Sequence, residues 1–125
     1  MANIINLPTF SDKRGSLTVM DNIPELLPFS VKRMFYIYDV DASERGGHRH
    51  KKTYQAVICL NGTCVIQNHN GKHKASFALD MPNKCLILEP QDWHTMEVRD
   101  TDAVLVVFAS ECYDPDDYIY EPYDL

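Results

Sequence analysis

Apolar runs of strand length recur along this chain with turn residues between them, at 17–20, 31–38, 54–60, 63–67, 75–79, 85–88, 94–98 and 103–109. Short runs at intervals of roughly eight to twelve residues predict an all-β sandwich or barrel, here a single domain over residues 1–125. The strongest local signal is Asn61-Gly62, set between Ala56-Val57-Ile58-Cys59-Leu60 and Thr63-Cys64-Val65-Ile66. Asn-Gly supplies the positive φ values of a type I′ turn, so a two-residue hairpin is expected there. Asn70-Gly71 offers a second, looser turn. The run Val104-Leu105-Val106-Val107-Phe108 is continuous rather than alternating, as expected of a strand covered on both faces. Ile23-Pro24-Glu25-Leu26-Leu27 is suited to a short helical turn, and the acids and aromatics from Tyr113 to Tyr120 suit a closing segment laid over the barrel.

Charge limits the partners. With a formal net charge of −6, the chain lacks the basic balance that a nucleic-acid backbone or an anionic membrane surface demands, so neither is an expected partner. A small anionic ligand needs only a local cluster of arginines. The N-terminus has no basic segment followed by an apolar stretch, and no run approaches membrane-spanning length, so a cytoplasmic protein is expected. The four cysteines, Cys59, Cys64, Cys85 and Cys112, form no CxxC motif. Across the expected hairpin Cys59 and Cys64 would face each other within reach of a disulfide, whereas a reducing cytosol would keep them as packing thiols.

The chemistry is concentrated in Arg45-Gly46-Gly47-His48-Arg49-His50-Lys51-Lys52-Thr53-Tyr54-Gln55. Residues two apart on a strand share a face, so His48 and His50 project together, either into a barrel mouth or into water beside Lys51 and Lys52. A glycine-rich entry, His-x-His, four residues, an acceptor side chain, six residues and Gly62 together resemble the first motif of the cupin superfamily. Gln55 stands where metal-binding cupins carry glutamate. The second cupin motif is recognisable in Glu89-Pro90-Gln91-Asp92-Trp93-His94, with Asp92 at the usual glycine and His94 as a third inward histidine. Three imidazoles can hold zinc or iron, yet a glutamine carbonyl lacks the compensating charge of a carboxylate, so no metal is expected to be required. Without one, imidazoles near their ordinary pKa of ~6.5 suit general acid–base work.

Over residues 13–118 the chain resembles the thymidine-diphosphate-sugar 3,4-ketoisomerases. The resemblance is carried by Arg14-Gly15-Ser16-Leu17, by Pro28-Phe29-Ser30-Val31-Lys32-Arg33-Met34-Phe35-Tyr36-Ile37, by the His48 segment, by Cys59-Leu60-Asn61-Gly62, by Trp93-His94, and by Ala109-Ser110 with the Tyr-Asp-x-x-Asp-Tyr pattern ending at Tyr118. Arg49, where alanine is usual, and Gly47 are departures. The resemblance implies a cupin double-stranded β-helix acting on a thymidine-diphosphate 4-keto-6-deoxyhexose with no cofactor. It implies proton transfer by His48, His50 and Tyr36, although Tyr36 by itself reads equally as a core aromatic. It also implies a homodimer with exchanged N-terminal strands. Arg14, Arg33 and Arg45 are candidates for the diphosphate, each also explicable as a solvated surface residue. Gln55, Trp93 and His94 are candidates for the sugar pocket, with Trp93 otherwise plain core. Rival functions are a thymidine-diphosphate-sugar 3,5-epimerase, a metal-dependent cupin and a non-enzymatic sugar-sensing module.

Overall fold

A computed structural model describes residues 1–41 and 43–124. Its strands are β1 (Asn3–Asn6), β2 (Thr9–Asp12), β3 (Gly15–Thr18), β4 (Arg33–Ile37), β5 (Glu44–His50), β6 (Gln55–Asn61), β7 (Cys64–His69), β8 (Lys74–Leu79), β9 (Lys84–Leu88), β10 (Trp93–Val98), β11 (Val104–Ala109) and β12 (Tyr118–Ile119). A helical turn spans Ile23–Leu26, and a 3₁₀ turn, Pro115–Asp117, precedes β12.

Ten of these strands form two five-stranded antiparallel sheets, ordered β1-β9-β6-β11-β4 and β12-β5-β10-β7-β8. Val57, Ile66, Leu86, Met96, Leu105 and Val107 fill the space between the sheets. This is the cupin double-stranded β-helix. The first sheet is also covered on its outer face, where Ala56, Ile58, Cys85 and Ile87 pack against Leu7 and Leu27. That second cover explains the continuous apolar sequence of β6, buried from Gln55 to Cys59. On β11 the effect is weaker, since Val104, Val106 and Phe108 remain half-buried.

The expected hairpin at Asn61-Gly62 does not form. β6 pairs with β9 and β11, whereas β7 pairs with β8 and β10, so this turn carries the chain from one sheet to the other. Gly62 has φ 78°, but Asn61 is not in the left-handed region, as a type I′ turn would require. The turn docks on the 100–103 loop: Asn61 Nδ2 donates to Asp102 O (2.9 Å) and Thr63 N–H to Asp100 Oδ2 (2.8 Å). A Cβ on Gly62 would lie 3.0 Å from both Ala103 Cβ and Asp100 Oδ2. Cys59 and Cys64 therefore do not face each other across a ladder. Both are buried free thiols, and burial, followed by the neighbouring Cys59 and Glu97, pushes Cys64 up to about 12. Such a thiol stays protonated and unreactive.

Asn70-Gly71 does form a hairpin turn, joining β7 to β8, with Asn70 Oδ1 accepting from the N–H groups of Lys72 and His73. β2 and β3 pair only with each other and project as an arm, leaving Phe10 and Leu17 exposed. Among the described residues no helix is long and apolar enough to cross a membrane.

Candidate active site

Two glycines build the entry to the site. β5 runs beside β10, pairing His48 with His94 and Gly46 with Thr95, and the register slips by one residue between those pairs. Gly46 and Gly47 adopt φ 86° and 77°, the left-handed region that glycine enters without steric cost. A Cβ on Gly46 would lie 2.8 Å from His94 O, so no other residue fits. The bulge turns His48 and His50 inward beside His94, while Arg49 points out and lays its guanidinium 4.4 Å from the Tyr123 ring centroid.

The three imidazoles form one cluster. The His48 ring lies 5.0 Å from those of His50 and His94, and Tyr118 packs 4.7 Å from both His48 and His50. A cavity of about 190 Å³ opens beside them, lined by Phe35, Ile37, Arg45, His48, Gln55, His94, Met96 and Tyr118. His94 Nδ1 bonds to Asp92 O at 3.0 Å, and His50 Nδ1 bonds to Asp117 Oδ2 at 3.1 Å. Since a backbone carbonyl and an ionised carboxylate only accept, both imidazoles carry their proton on Nδ1. The opposite atoms, His50 Nε2 and His94 Nε2, are buried without a partner, as is Gln55 Oε1. Unpaired buried polar atoms cost stability, so this cluster is kept for something other than packing.

Burial, then the neighbouring His50, pushes the His48 imidazole down to about 4, against a hydrogen bond that the ring donates to the Gly46 backbone carbonyl. Burial likewise takes His94 to about 4. His50 is lowered by burial, with the hydrogen bond and charge of Asp117 opposing that shift. Burial raises Asp117, but Thr53 Oγ1–H, the Lys52 N–H (2.9 Å) and His50 outweigh it and hold this carboxyl below the usual range. At neutral pH the site therefore holds neutral imidazoles beside a carboxylate. It is equipped to take up and release protons. Among the described residues, no three His, Cys, Asp or Glu side chains are grouped so as to hold a metal ion.

The structure separates the sequence candidates. His48, Gln55, His94 and Arg45 line the cavity, and His50 stands against its His48 and Tyr118 walls. Arg33 reaches the same end, its guanidinium carbon 5.1 Å from the Phe35 ring centroid and its Nε buried without a partner. Tyr36 lies elsewhere. Phe35 and Ile37 take the inward positions of β4, so Tyr36 points out, 58% exposed and stacked on Tyr38. Trp93 is also outside the cavity, because it alternates with inward His94; it lines a separate cleft with His69, Lys74 and Tyr123 and donates from Nε1 to Tyr120 O. Arg14 sits on the projecting arm, ion-paired to Asp12 at 2.8 Å. Sequence reasoning missed Tyr118 and Asp117. Their one signal was the Tyr-Asp-x-x-Asp-Tyr pattern, which carried no role.

The family model for FdtA, described as WxcM-like, C-terminal, matches residues 1–125. The chain belongs to the FdtA family. A curated relative, the TDP-4-oxo-6-deoxy-alpha-D-glucose-3,4-oxoisomerase of Aneurinibacillus thermoaerophilus, is 40% identical over 117 residues, 93% of this chain and 84% of the relative. Among solved structures, a histidine-to-asparagine variant of the 3,4-ketoisomerase QdtA from Thermoanaerobacterium thermosaccharolyticum, in complex with TDP-4-keto-6-deoxyglucose, superposes with a TM-score of 0.87. It is 36% identical, and the match covers 96% of this chain and 87% of that one. The TDP-quinovose 3,4-ketoisomerase WlaRB from Campylobacter jejuni matches with a TM-score of 0.88 and 36% identity, covering 96% of this chain and 92% of that chain.

Proposed function

We propose that this FdtA-family chain is a 3,4-ketoisomerase of a thymidine-diphosphate 4-keto-6-deoxyhexose. The observation that carries the reading is a cluster of neutral, partly unpartnered imidazoles in the barrel of a chain 40% identical to a TDP-sugar 3,4-oxoisomerase. Moving the carbonyl from C4 to C3 needs proton transfers alone. A base removes the proton from C3, and the C3–H electron pair forms the C3=C4 bond as charge moves to the C4 oxygen. A proton then passes from the C3 hydroxyl to that oxygen. Protonation at C4 leaves a C3 carbonyl and a C4 hydroxyl, with no net change in atoms or electrons. His48 and His50 take the base and acid roles, with His94 and Gln55 placed toward the sugar oxygens. Arg33 and Arg45 are cations at this end of the barrel for the diphosphate. No added metal is required, since Gln55 occupies the carboxylate position and acid–base steps suffice.

The working unit is a homodimer that exchanges the β2–β3 arm, supported by the exposure of Phe10 and Leu17 on an arm with no partner in its own barrel. Exchange would carry Arg14 to the partner. A cytoplasmic location fits a nucleotide-sugar substrate. A 3,5-epimerase would instead exchange protons at C3 and C5 and leave the carbonyl at C4. Proton NMR of TDP-4-keto-6-deoxyglucose during incubation separates the outcomes: a new 3-keto species is expected, and an unchanged carbonyl position overturns the reading. His48→Asn and His50→Asn should each lower turnover by roughly 10²–10⁴-fold while TDP still binds.

A further inference from the structure

The three imidazoles, His48 half-buried and His50 and His94 buried, differ in what stands behind them. The ring of His94 is backed by a backbone carbonyl, Asp92 O, and His48 by a backbone hydrogen bond with Gly46. A carbonyl dipole orients a ring and favours its cation, yet it carries no full negative charge to pair with one. His50 alone is backed by a carboxylate, at 3.1 Å and with both side chains 3% exposed. That carboxylate is itself fixed: Asp117 Oδ1 accepts from Lys52 N–H, and Oδ2 accepts from Thr53 Oγ1–H as well as from His50. Two main-chain bonds hold the junction, His50 N–H to Pro90 O at 2.8 Å and Lys51 N–H to Asp117 O at 2.9 Å. The other groups facing His50 are His48 on its own strand, Tyr118 on β12 and the Arg33 cation from β4. None of them carries a negative charge, and Arg33 opposes an imidazolium.

We propose that Asp117 is the positioning residue that makes His50 the proton-accepting imidazole of this site. By accepting the Nδ1–H it fixes the tautomer that leaves Nε2 as a bare lone pair. It then neutralises the positive charge that His50 gains when Nε2 takes a proton from sugar carbon. The bonds made and broken are those of the isomerisation above: C3–H breaks, Nε2–H forms, and the electron pair enters C3=C4. The assignment rests on the isomerase reading for its substrate but not for its geometry. An isolated buried imidazolium is costly, and pairing it with a fixed carboxylate removes most of that cost.

The test compares wild type with Asp117→Asn, which keeps the shape and an acceptor for Lys52 N–H while removing the charge. Turnover of TDP-4-keto-6-deoxyglucose should fall by roughly 10²–10³-fold with KM and TDP affinity little changed, as expected for an interaction used after binding. The acid limb of the rate profile should also move to lower pH, because loss of the carboxylate leaves burial unopposed at His50. A residue needed only for folding would lower the amount of active enzyme without moving that limb. Asp117→Glu should recover part of the rate. Folded Asp117→Asn turning over at near the wild-type rate with an unmoved limb overturns the proposal. The ¹⁵N resonances of His50 in the wild-type protein give a readout independent of substrate and of the variant's folding. Protonated Nδ1 with bare Nε2 at neutral pH is expected, and the opposite tautomer overturns the assignment even if the enzyme is an isomerase. If the tautomer is as expected and wild type leaves this sugar unchanged, the isomerase reading fails and the positioning of His50 stands.

Discussion

The two ends of the barrel interior are built from the same strands and differ by one or two residues on each. Along the inward positions of β6, Gln55 gives way to Val57 and Cys59; along β10, His94 gives way to Met96 and Val98; along β7, Asn68 gives way to Ile66 and Cys64. One end is apolar and fully packed. The other carries His50 Nε2, His94 Nε2, Gln55 Oε1 and Asn68 Oδ1 as buried atoms without partners. The strand ladders do not distinguish the two ends, so the fold itself does not demand polar residues at either. Stability is concentrated at one end and unsatisfied chemical capacity at the other.

The largest way to break this division is at the bulge that aims the histidines. Gly46→Ala places a methyl group 2.8 Å from His94 O at φ 86°, and should cost about 2–4 kcal/mol while abolishing turnover in whatever folds. Thermal unfolding together with the NMR assay checks this; a stable, active Gly46→Ala protein would show that the bulge does not set His48. Next comes the pair Leu105→Ala and Gln55→Leu. Leu105→Ala at the apolar end should lower stability by about 2–5 kcal/mol and leave turnover per folded molecule unchanged. Gln55→Leu at the polar end should do the reverse, lowering turnover while the melting temperature holds or rises, because an unpaired buried acceptor is removed. Equal stability losses at both positions would erase the contrast.

A smaller effect is expected from acid. His48 and His94 titrate near 4 in the folded chain but near ~6.5 unfolded, so the unfolded state binds more protons between those values. Stability is fully present above that window and is lost as pH falls from about 6.5 toward 4. For the fully buried His94 the loss is on the order of 3 kcal/mol. Denaturant unfolding at a series of pH values, with His94→Gln flattening the slope, tests it. The smallest effect belongs to Tyr36→Phe, whose exposed hydroxyl points away from the cavity; its turnover and melting temperature should match wild type, and a large rate loss would place that hydroxyl at the site.

The sequence made the barrel legible because strand-length apolar runs report burial, and burial is what the sheets share. It misplaced the turn at Asn61-Gly62 because a glycine with positive φ serves a sheet-to-sheet crossing as well as a hairpin. Whether β6 pairs with its neighbour in sequence or with β11 is decided by the whole sandwich. His48 and His50 were recognisable from spacing, since both lie on one strand. Tyr36 was ambiguous because β4 offers aromatic or apolar residues on both faces, and only the packing of Phe35 and Ile37 selects the inner one. Asp117 was invisible as a partner of His50 because the two are 67 residues apart in the chain. Local patterns cannot report a contact that the final wrap of the chain creates.

That late wrap has a consequence for the order in which the protein matures on the ribosome. Asp117, Tyr118 and Tyr120 follow the nine barrel strands that precede β12, so they are the last part of the site to emerge. A barrel folded to that point would carry its histidines without the carboxylate that orients one of them or the tyrosines that wall them in. Competence to act on substrate would then appear as a separate, later event than folding, on emergence of the segment that contains residues 113–120.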